Sequence, residues 1–200
     1  MPNATELVSL VNLKAFLNIT GATKDTLLQA IKDGVEASVG NYCDRSFLIP
    51  STDYTEYYDG DGTLELILNQ RPIISVSEIY IDPSCLFAGA TLVPNLNSGS
   101  PAQLISSTRD LNAGRVRLFM YAFLRGRRSV KVTYSAGYAT VPADLQHAVK
   151  LICAKEFKVQ DLGMSGQVSQ QVGDKTVTFS VDTWPKNACD ILDRYRRFEV

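Results

Sequence analysis

The chain carries a single histidine, His147, and an acidic residue, Asp144, lies three positions before it. A histidine beside a carboxylate is a common pair in general acid–base catalysis. No serine, cysteine or threonine nucleophile motif accompanies this pair, and a triad needs all three partners. We therefore interpret His147 as an ordinary helix residue near the surface, and we predict that the protein is not an enzyme.

Four cysteines, Cys43, Cys85, Cys153 and Cys189, lie far apart and form no Cys-x-x-Cys pair. Cys153 and Cys189 occupy the apolar faces of predicted helices, which is typical of small core residues in a reducing compartment. One histidine and four scattered cysteines do not build the usual metal sites. We expect no metal and no cofactor.

The run Asp59-Gly60-Asp61-Gly62 resembles the start of a calcium-binding loop. The full loop also needs a later bidentate acid at a fixed position, and the spacing to Glu65 does not provide it. Asp-Gly pairs are favoured in tight turns because glycine adopts positive φ. The run therefore predicts a β-hairpin turn and not a cation site.

Positive charge collects around one predicted turn, at Arg125, Arg127, Arg128 and Lys131. The formal net charge of the 200 residues is −1, which is a poor match for a protein that binds nucleic acid avidly over its whole surface. A local basic patch can still contact DNA or a neighbouring subunit by electrostatics. A solvated sheet edge that discourages aggregation is the alternative interpretation.

The period of the hydrophobic pattern changes twice along the chain and predicts an α+β fold. Helical spacing is clearest from Lys24 to Tyr42, with Thr23 as a candidate cap, and it returns after Pro142. We expect a helical core from residues 1–45 and 139–200, with a mostly antiparallel β module inserted at 46–138. The strands predicted in that module are 53–58, 64–68, 74–81, 115–119 and 129–134, with a further short strand considered at 103–106.

Three short segments come in a fixed order after the first predicted helices. They are Tyr57-Tyr-Asp-Gly60, Val132-Thr-Tyr-Ser-Ala-Gly-Tyr138 and Val141-Pro-Ala-Asp-Leu145. A glycine-rich segment and a final helix close the chain. This order and spacing resembles the head–tail connector (head-completion adaptor) proteins of tailed bacteriophages and prophages. The resemblance spans nearly the whole sequence, although the long segment from Asp82 to Ser107 is less typical of the family.

The resemblance implies a structural protein without catalysis, which forms a ring of about twelve copies in the virion neck. Its implied partners are other copies of itself, the portal protein, neck or tail-completion proteins, and packaged DNA that passes through the lumen without sequence-specific binding. The oligomeric state of the free protein stays open: a ring in the virion is compatible with a monomer in solution, since one subunit contact is weak without the portal as template. Before assembly the protein is expected to be in the host cytoplasm. We expect no membrane contact, because no stretch approaches the length of a membrane span and no signal peptide is apparent.

Two segments near the end of the chain are candidates for the assembly interface. The segment from Gly163 to Val181 is rich in glycine and glutamine and then strand-forming, which suits an arm that orders on a neighbouring subunit. The final helix, from Trp184, offers aromatic and arginine residues of the kind enriched at interfaces. The alternative for both is that they fold back on their own subunit. A binding module that uses the tyrosines at 54, 57, 58, 80, 134 and 138 to hold a glycan is the second function considered. The candidate interface residues are Val177, Phe179, Trp184, Tyr195, Arg196, Arg197 and Phe198.

Overall fold

The structure is a computed structural model that describes residues 4–87, 91–92, 108–118, 121–161, 169–172, 175–178 and 184–197. Helices and antiparallel strands both contribute, so the predicted α+β class is confirmed. The chain divides into two compact units. Unit 1 comprises residues 1–5 and 46–140, and unit 2 comprises residues 6–45 and 141–200.

Most of the described residues of unit 2 are helical. Its helices are α1 (Leu10–Leu17), α2 (Asp25–Cys43), α4 (Ala143–Asp161) and α5 (Lys186–Leu192), followed by a 3₁₀ turn at Asp193–Tyr195. Helices α2 and α4 pack against each other, and α5 packs against α4. The buried apolar residues of these helices recur at helical spacing, as an amphipathic stripe requires: Leu28, Ile31, Val35 and Val39 in α2, and Leu145, Val149 and Ile152 in α4.

The helix ends show how local chemistry sets the boundaries. Ser9 caps α1, because its hydroxyl accepts a hydrogen bond from the Asn12 amide at 3.3 Å. Helix α1 ends at Asn18 and α2 at Asp44, and both residues adopt the left-handed conformation that closes helices. The prediction that Thr23 caps α2 was wrong: Lys24 occupies the cap position and makes no side-chain cap hydrogen bond.

Unit 1 contains two antiparallel sheets. Its strands are β1 (Tyr54–Gly60), β2 (Glu65–Ile67), β3 (Ile73–Ile81), β4 (Thr91–Leu92), β5 (Arg115–Arg117) and β6 (Gly126–Ala136), and a short helix α3 (Thr108–Asn112) precedes β5. The larger sheet has the order β1-β6-β3-β4, and the smaller one pairs β2 with β5. A third sheet, in unit 2, is the hairpin of β7 (Ser169–Val172) and β8 (Lys175–Thr178).

The predicted hairpin between the first two strands was wrong. β1 pairs with β6, whereas β2 pairs with β5 in the other sheet. The Asp-Gly run therefore carries the chain from one sheet to the other. Asp61 stabilises this crossing, because its carboxylate accepts hydrogen bonds from the amide of Thr63 at 2.8 Å and from its hydroxyl at 2.7 Å. Such side-chain turns satisfy backbone donors without strand pairing.

The larger sheet buries one face, and alternation along β6 shows it plainly. Val130, Val132 and Tyr134 are fully buried, while Lys131 and Thr133 between them are half-buried on the opposite face. The buried residues join the β2–β5 sheet in one apolar cluster. Other members of that cluster are Leu66, Leu68, Ile73, Val76, Ile79, Ile81, Val116, Leu118 and Phe123.

A polar network crosses this core. Glu56 accepts hydrogen bonds from the hydroxyls of Tyr58 and Tyr134, the second at 2.6 Å. The Tyr134 oxygen in turn accepts the Gln70 amide at 3.1 Å, and the Tyr58 oxygen accepts the Asn69 amide at 2.9 Å. Burial, together with the adjoining Glu56 carboxylate, raises the pKa of both tyrosines well above the ordinary range. Both hydroxyls therefore stay protonated and hold the 69–70 segment to the sheet.

The four cysteines are all free thiols, and their environments differ. Cys43 and Cys153 are buried and Cys85 is exposed. Burial raises the pKa of Cys43 from 9.0 to about 11 and that of Cys153 to about 12. Because the thiolate is the reactive form, a thiol reagent at pH 8 should modify Cys85 at once and reach Cys43 and Cys153 only after unfolding.

Raised thiol pKa values also make stability depend on pH. The folded state holds each thiol proton more tightly than the unfolded state, so the contribution is complete below pH 9 and is lost as pH rises toward 11. For Cys43 the full contribution is about 2 to 3 kcal/mol. Urea unfolding between pH 8 and pH 10 should therefore show falling stability in wild type, and a Cys43→Ala variant should show a shallower decline. Equal declines in the two proteins would contradict this assignment.

Candidate functional site

The exposed face of the larger sheet brings cations and aromatic rings into one row. Tyr57 of β1 lies directly across from Lys131 of β6, and Lys131 lies across from Tyr80 of β3. The Lys131 ammonium is 5.4 Å from the centre of the Tyr80 ring, which is cation–π distance. This row was not predicted, because the sequence does not show which strands become neighbours.

Arg128 extends the row through a local distortion of β6. Its backbone is left-handed, with φ 50°, and its amide donates to the Asp59 carboxylate at 2.7 Å. The register of β1 against β6 shifts between Tyr58 and Gly60, so the strand bends at this point. The Arg128 guanidinium then lies 5.0 Å from the centre of the Tyr57 ring, and the Phe87 ring meets Tyr57 edge-on at 5.3 Å.

Arg125 and Arg127 lie at the start of the same strand but differ in their surroundings. The Arg125 side chain donates to the Asp61 carbonyl at 2.9 Å. The hydroxyl and amide of Thr63 lower the pKa of the neighbouring Asp61 carboxyl, so Asp61 is charged beside Arg125. Arg127 has an exposed side chain, and its carbonyl accepts the Cys85 thiol at 2.7 Å.

The other two arginines of this region share one carboxylate as their ion-pair partner. Arg115 and Arg117 of β5 both reach Glu65 on the paired strand β2, at 2.8 and 3.0 Å. These are cross-strand ion pairs of the kind that stabilises a sheet. The six basic side chains thus separate into a paired set on the smaller sheet and the set around β6.

The candidate interface residues of the C-terminal segment contact their own subunit. Trp184 packs on Tyr42 with 5.3 Å between ring centres, and the Arg196 guanidinium lies 5.5 Å from the centre of the same Tyr42 ring. The Tyr42 hydroxyl donates to Asp193 at 2.7 Å, which raises the pKa of Tyr42 to about 12. Helix α2 therefore anchors both ends of this segment.

Three further contacts also hold the C-terminal segment to its own subunit. Arg197 pairs with Asp44 at 3.2 Å, and its amide donates to the Cys43 carbonyl at 3.0 Å. The Tyr195 hydroxyl donates to Asp144 at 2.6 Å. Val177 lies in β8, while Phe179 and Phe198 lie outside the described residues.

The pair that could have supported acid–base chemistry is not assembled. His147 is exposed on α4 and meets the Phe16 ring edge-on, with 6.1 Å between ring centres. Asp144 accepts the Tyr195 hydroxyl. Among the residues that the structure describes, no cluster of three histidine, cysteine or acidic side chains is placed to hold a metal ion. None of the described helices is long and apolar enough to cross a bilayer.

The six tyrosines of the β unit do not form a shared exposed platform. Tyr57 is exposed, Tyr134 is fully buried, and Tyr54, Tyr58, Tyr80 and Tyr138 are half-buried. The Tyr54 ring packs 5.7 Å from the Tyr134 ring. A glycan platform needs several rings open together, so this arrangement does not favour the binding-module interpretation.

A buried charge cluster in unit 2 was missed by sequence analysis. The Lys32 side chain is 2% exposed, and its ammonium lies 2.5 Å from Glu6, 3.4 Å from Asp33 and 4.0 Å from Glu36. Burial lowers the pKa of Lys32, but the hydrogen bond to Glu6 and the three carboxylates outweigh it, so the pKa is raised. The spacing of Lys32 and Glu36 on a helix was the available clue.

Glu36 connects this cluster to the chain's beginning. One of its oxygens accepts the amides of Leu7 at 3.1 Å and Val8 at 3.0 Å, and both of those residues are buried. Burial raises the pKa of Glu36, opposed by the Val8 amide. The cluster therefore fastens the segment before α1 to α2.

Comparison with known proteins gives the family. The family model described as Head completion protein matches residues 6–198. No curated protein matches the chain. Because the family model covers nearly the whole sequence, this match alone is sufficient to assign the family.

Solved structures share the fold. A chain in the neck of an empty gene transfer agent particle, computed with C6 symmetry, is 15% identical with a TM-score of 0.57, and the match covers 99% of this chain and 95% of that one. A chain from the native particle's neck, computed with C12 symmetry, is 16% identical with a TM-score of 0.52, covering 100% and 97%. A chain of the native virion is 16% identical with a TM-score of 0.53, covering 97% and 91%. The protein belongs to the Head completion protein family.

Proposed function

We propose that this protein is a structural connector that joins the head of a tailed phage or related particle to its tail. The family match over residues 6–198 carries the proposal. The same fold, over almost the whole chain, occurs in the necks of gene transfer agent particles, one of them computed with C12 symmetry. We infer a ring of about twelve copies in the virion neck, with cyclic, head-to-tail contacts between subunits.

In this role the protein contacts the portal on one side and neck or tail-completion proteins on the other, and DNA passes through the lumen. The work is done by docking and not by turnover. Before assembly the subunit is a monomer in the host cell, because single subunit contacts are weak until the portal presents many sites at once.

The hairpin of β7 and β8 is the arm that we assign to assembly. It forms a two-stranded sheet of its own. An isolated two-stranded hairpin is marginally stable in water, so pairing with a neighbour's sheet edge would stabilise it. Helix α5 has a different role, because Ala188 and Leu192 are fully buried and anchor it within its own subunit.

Because α5 is anchored in the core of its own subunit, the assembly test should delete the hairpin and keep α5. Truncation after Asp182 would remove Ala188 and Leu192 from the core and is expected to unfold unit 2. Deleting residues 169–178 and rejoining the chain with two glycines leaves every described helix in place. The matched control is a variant with the hairpin intact and Gln170, Gln171 and Thr176 changed to serine.

We expect wild type and the control to join portal-containing heads and to appear as a ring in electron micrographs. The deletion variant should fold, as judged by circular dichroism, but should fail to join. A wild-type protein that never joins portal-containing heads would overturn the connector role. Normal joining by the deletion variant would overturn the role of the hairpin alone.

A further inference from the structure

We propose that the exposed face of the larger sheet binds the phosphodiester backbone of duplex DNA. The surface consists of Arg127, Arg128 and Lys131 on β6 with Tyr57 and Tyr80 on the flanking strands, and we refer to it as the basic strand surface. It goes beyond the connector role and does not depend on it, because binding would be a property of the single subunit.

The cations of the basic strand surface have no ion-pair partner among the acids of unit 1. All eight of those acids lie within the described residues, and the ion pairs among them are those of Glu65 with Arg115 and Arg117. Glu56 is engaged by two tyrosines. The remaining acids of unit 1 are Asp53, Asp59, Asp61, Glu78, Asp82 and Asp110.

Two acids lie on the same face as these cations: Asp59 of β1, and Glu78 of β3, which is exposed and lies across from Thr133, two residues along β6 from Lys131. Asp59 accepts the Arg128 amide at 2.7 Å, so its negative charge offsets one of the three positive charges. Asp61 belongs with Arg125, which donates to its carbonyl. Asp59 and Glu78 together set two negative charges against the three positive ones, so the basic strand surface keeps a net positive charge of one on a chain whose net charge is −1.

Aromatic rings hold two of the cations in place without neutralising them. Arg128 lies over Tyr57 at 5.0 Å and Lys131 lies over Tyr80 at 5.4 Å. Phe87 supports Tyr57 from its edge, at 5.3 Å. A long side chain that is already ordered loses less entropy when it binds, so these contacts prepare the charges for an anion.

The neighbouring rings favour nucleic acid over an acidic protein. Tyr57 is 42% exposed beside the Arg128 guanidinium. In protein–DNA interfaces tyrosine hydroxyls, as well as arginine and lysine, contact phosphate oxygens, so Tyr57 adds a neutral phosphate contact beside the cations. An acidic peptide would use the charges alone.

The test measures affinity for a 30-base-pair duplex of random sequence by fluorescence anisotropy across salt concentrations. About three phosphate contacts predict a slope of roughly −2.7 in a plot of log affinity against log salt. Affinity should then fall roughly 40-fold between 50 and 200 mM salt. The double variant Arg128→Gln/Lys131→Gln should make this slope less negative by about 1.8, because two phosphate contacts are lost.

The matched control is Arg115→Gln/Arg117→Gln, which removes the same formal charge from the same unit. Because Glu65 already pairs with both arginines, this control should keep the wild-type slope. A second variant, Arg128→Lys/Lys131→Arg, preserves the charges and should also bind, which separates loss of charge from loss of folding. Thermal melts establish that each variant is folded.

Three results would overturn the inference. They are no binding by wild type at 50 mM salt, equal losses in the two glutamine double variants, and equal competition by polyglutamate of matched charge, which would point to an acidic protein partner. A folded Arg128→Gln/Lys131→Gln variant that still joins portal-containing heads would separate this surface from the connector role. Failure of the connector test leaves the anisotropy result unaffected.

Discussion

Replacing Lys32 with methionine is expected to lower the free energy of unfolding by about 3 kcal/mol. The ammonium is the cation around which Glu6, Asp33 and Glu36 gather, and its side chain is 2% exposed. Methionine matches its length but leaves Glu36, a partly buried carboxylate, without its positive partner. Removal of one member of a buried pair costs more than the pair contributes, because the remaining charge stays desolvated.

Lys24→Met is the matched control for that experiment. Lys24 lies at the start of the same helix and pairs with Asp161, but its side chain is 41% exposed. Solvent-exposed pairs contribute about 1 kcal/mol or less, so this variant should remain close to wild type. Urea unfolding at pH 7 measures both, and equal costs for the two variants would contradict the cluster's role.

A double variant adds an independent check. Glu36→Gln removes the stranded charge while its amide oxygen can still accept the Leu7 and Val8 amides. We expect Lys32→Met/Glu36→Gln to be more stable than Lys32→Met alone. The raised pKa of Lys32 also means that the cluster's contribution is complete below pH 10.5 and is lost as pH rises further.

Replacing Gly60 with alanine is expected to destabilise unit 1 by about 3 kcal/mol. A Cβ at this position would lie 1.9 Å from the Leu124 carbonyl oxygen and 2.8 Å from the Ser129 hydroxyl. The Leu124 contact is to backbone, which cannot swing aside as a side chain can. Ser129 is fully buried, and its hydroxyl accepts the Gly60 amide and donates to the Leu124 carbonyl. Relief of the clash would therefore break the end of the β1–β6 pairing.

Gly34→Ala is the same substitution at another position, and it is expected to stabilise the protein. Gly34 lies in the middle of α2, and a Cβ there would meet nothing within 4 Å. Alanine is favoured over glycine in a helix interior, so a gain of about 0.5 to 1 kcal/mol is expected. Fluorescence of Trp184, the one tryptophan of the chain, follows unit 2, and near-ultraviolet circular dichroism of the tyrosines follows mainly unit 1, which contains seven of the nine. A Gly60→Ala protein as stable as wild type would show that the strand end adapts.

Helices α2 and α4 were predictable to within two residues at their starts because apolar spacing is a local property of the sequence. The strand positions at β1 and β3 were predictable for the same reason. The strands that pair with β1 and β3 were not predictable. Asp-Gly chemistry predicts a turn, but it does not decide whether the next strand returns to the same sheet, and β1 instead pairs with β6, whose residues lie about seventy positions later.

The candidate sites show the same limit. The charges at 125–131 were evident in the sequence, but the pairing of Glu65 with Arg115 and Arg117 became apparent only from the β2–β5 register. Lys32 was hidden because a lysine on a helix is ordinarily exposed, and its burial depends on Glu6 reaching it from outside the helix.

The division into two units has a consequence for inheritance. Residues 46–140 form one uninterrupted stretch that contains all of unit 1 except residues 1–5, whereas unit 2 is encoded on both sides of it. Residues 1–5 are joined to that stretch by a backbone hydrogen bond from Ala4 to Ala139, at 3.2 Å. Recombination between related genomes therefore needs only two crossovers, near codons 45 and 140, to replace the basic strand surface and its sheet while leaving the coding sequence of the helical unit untouched.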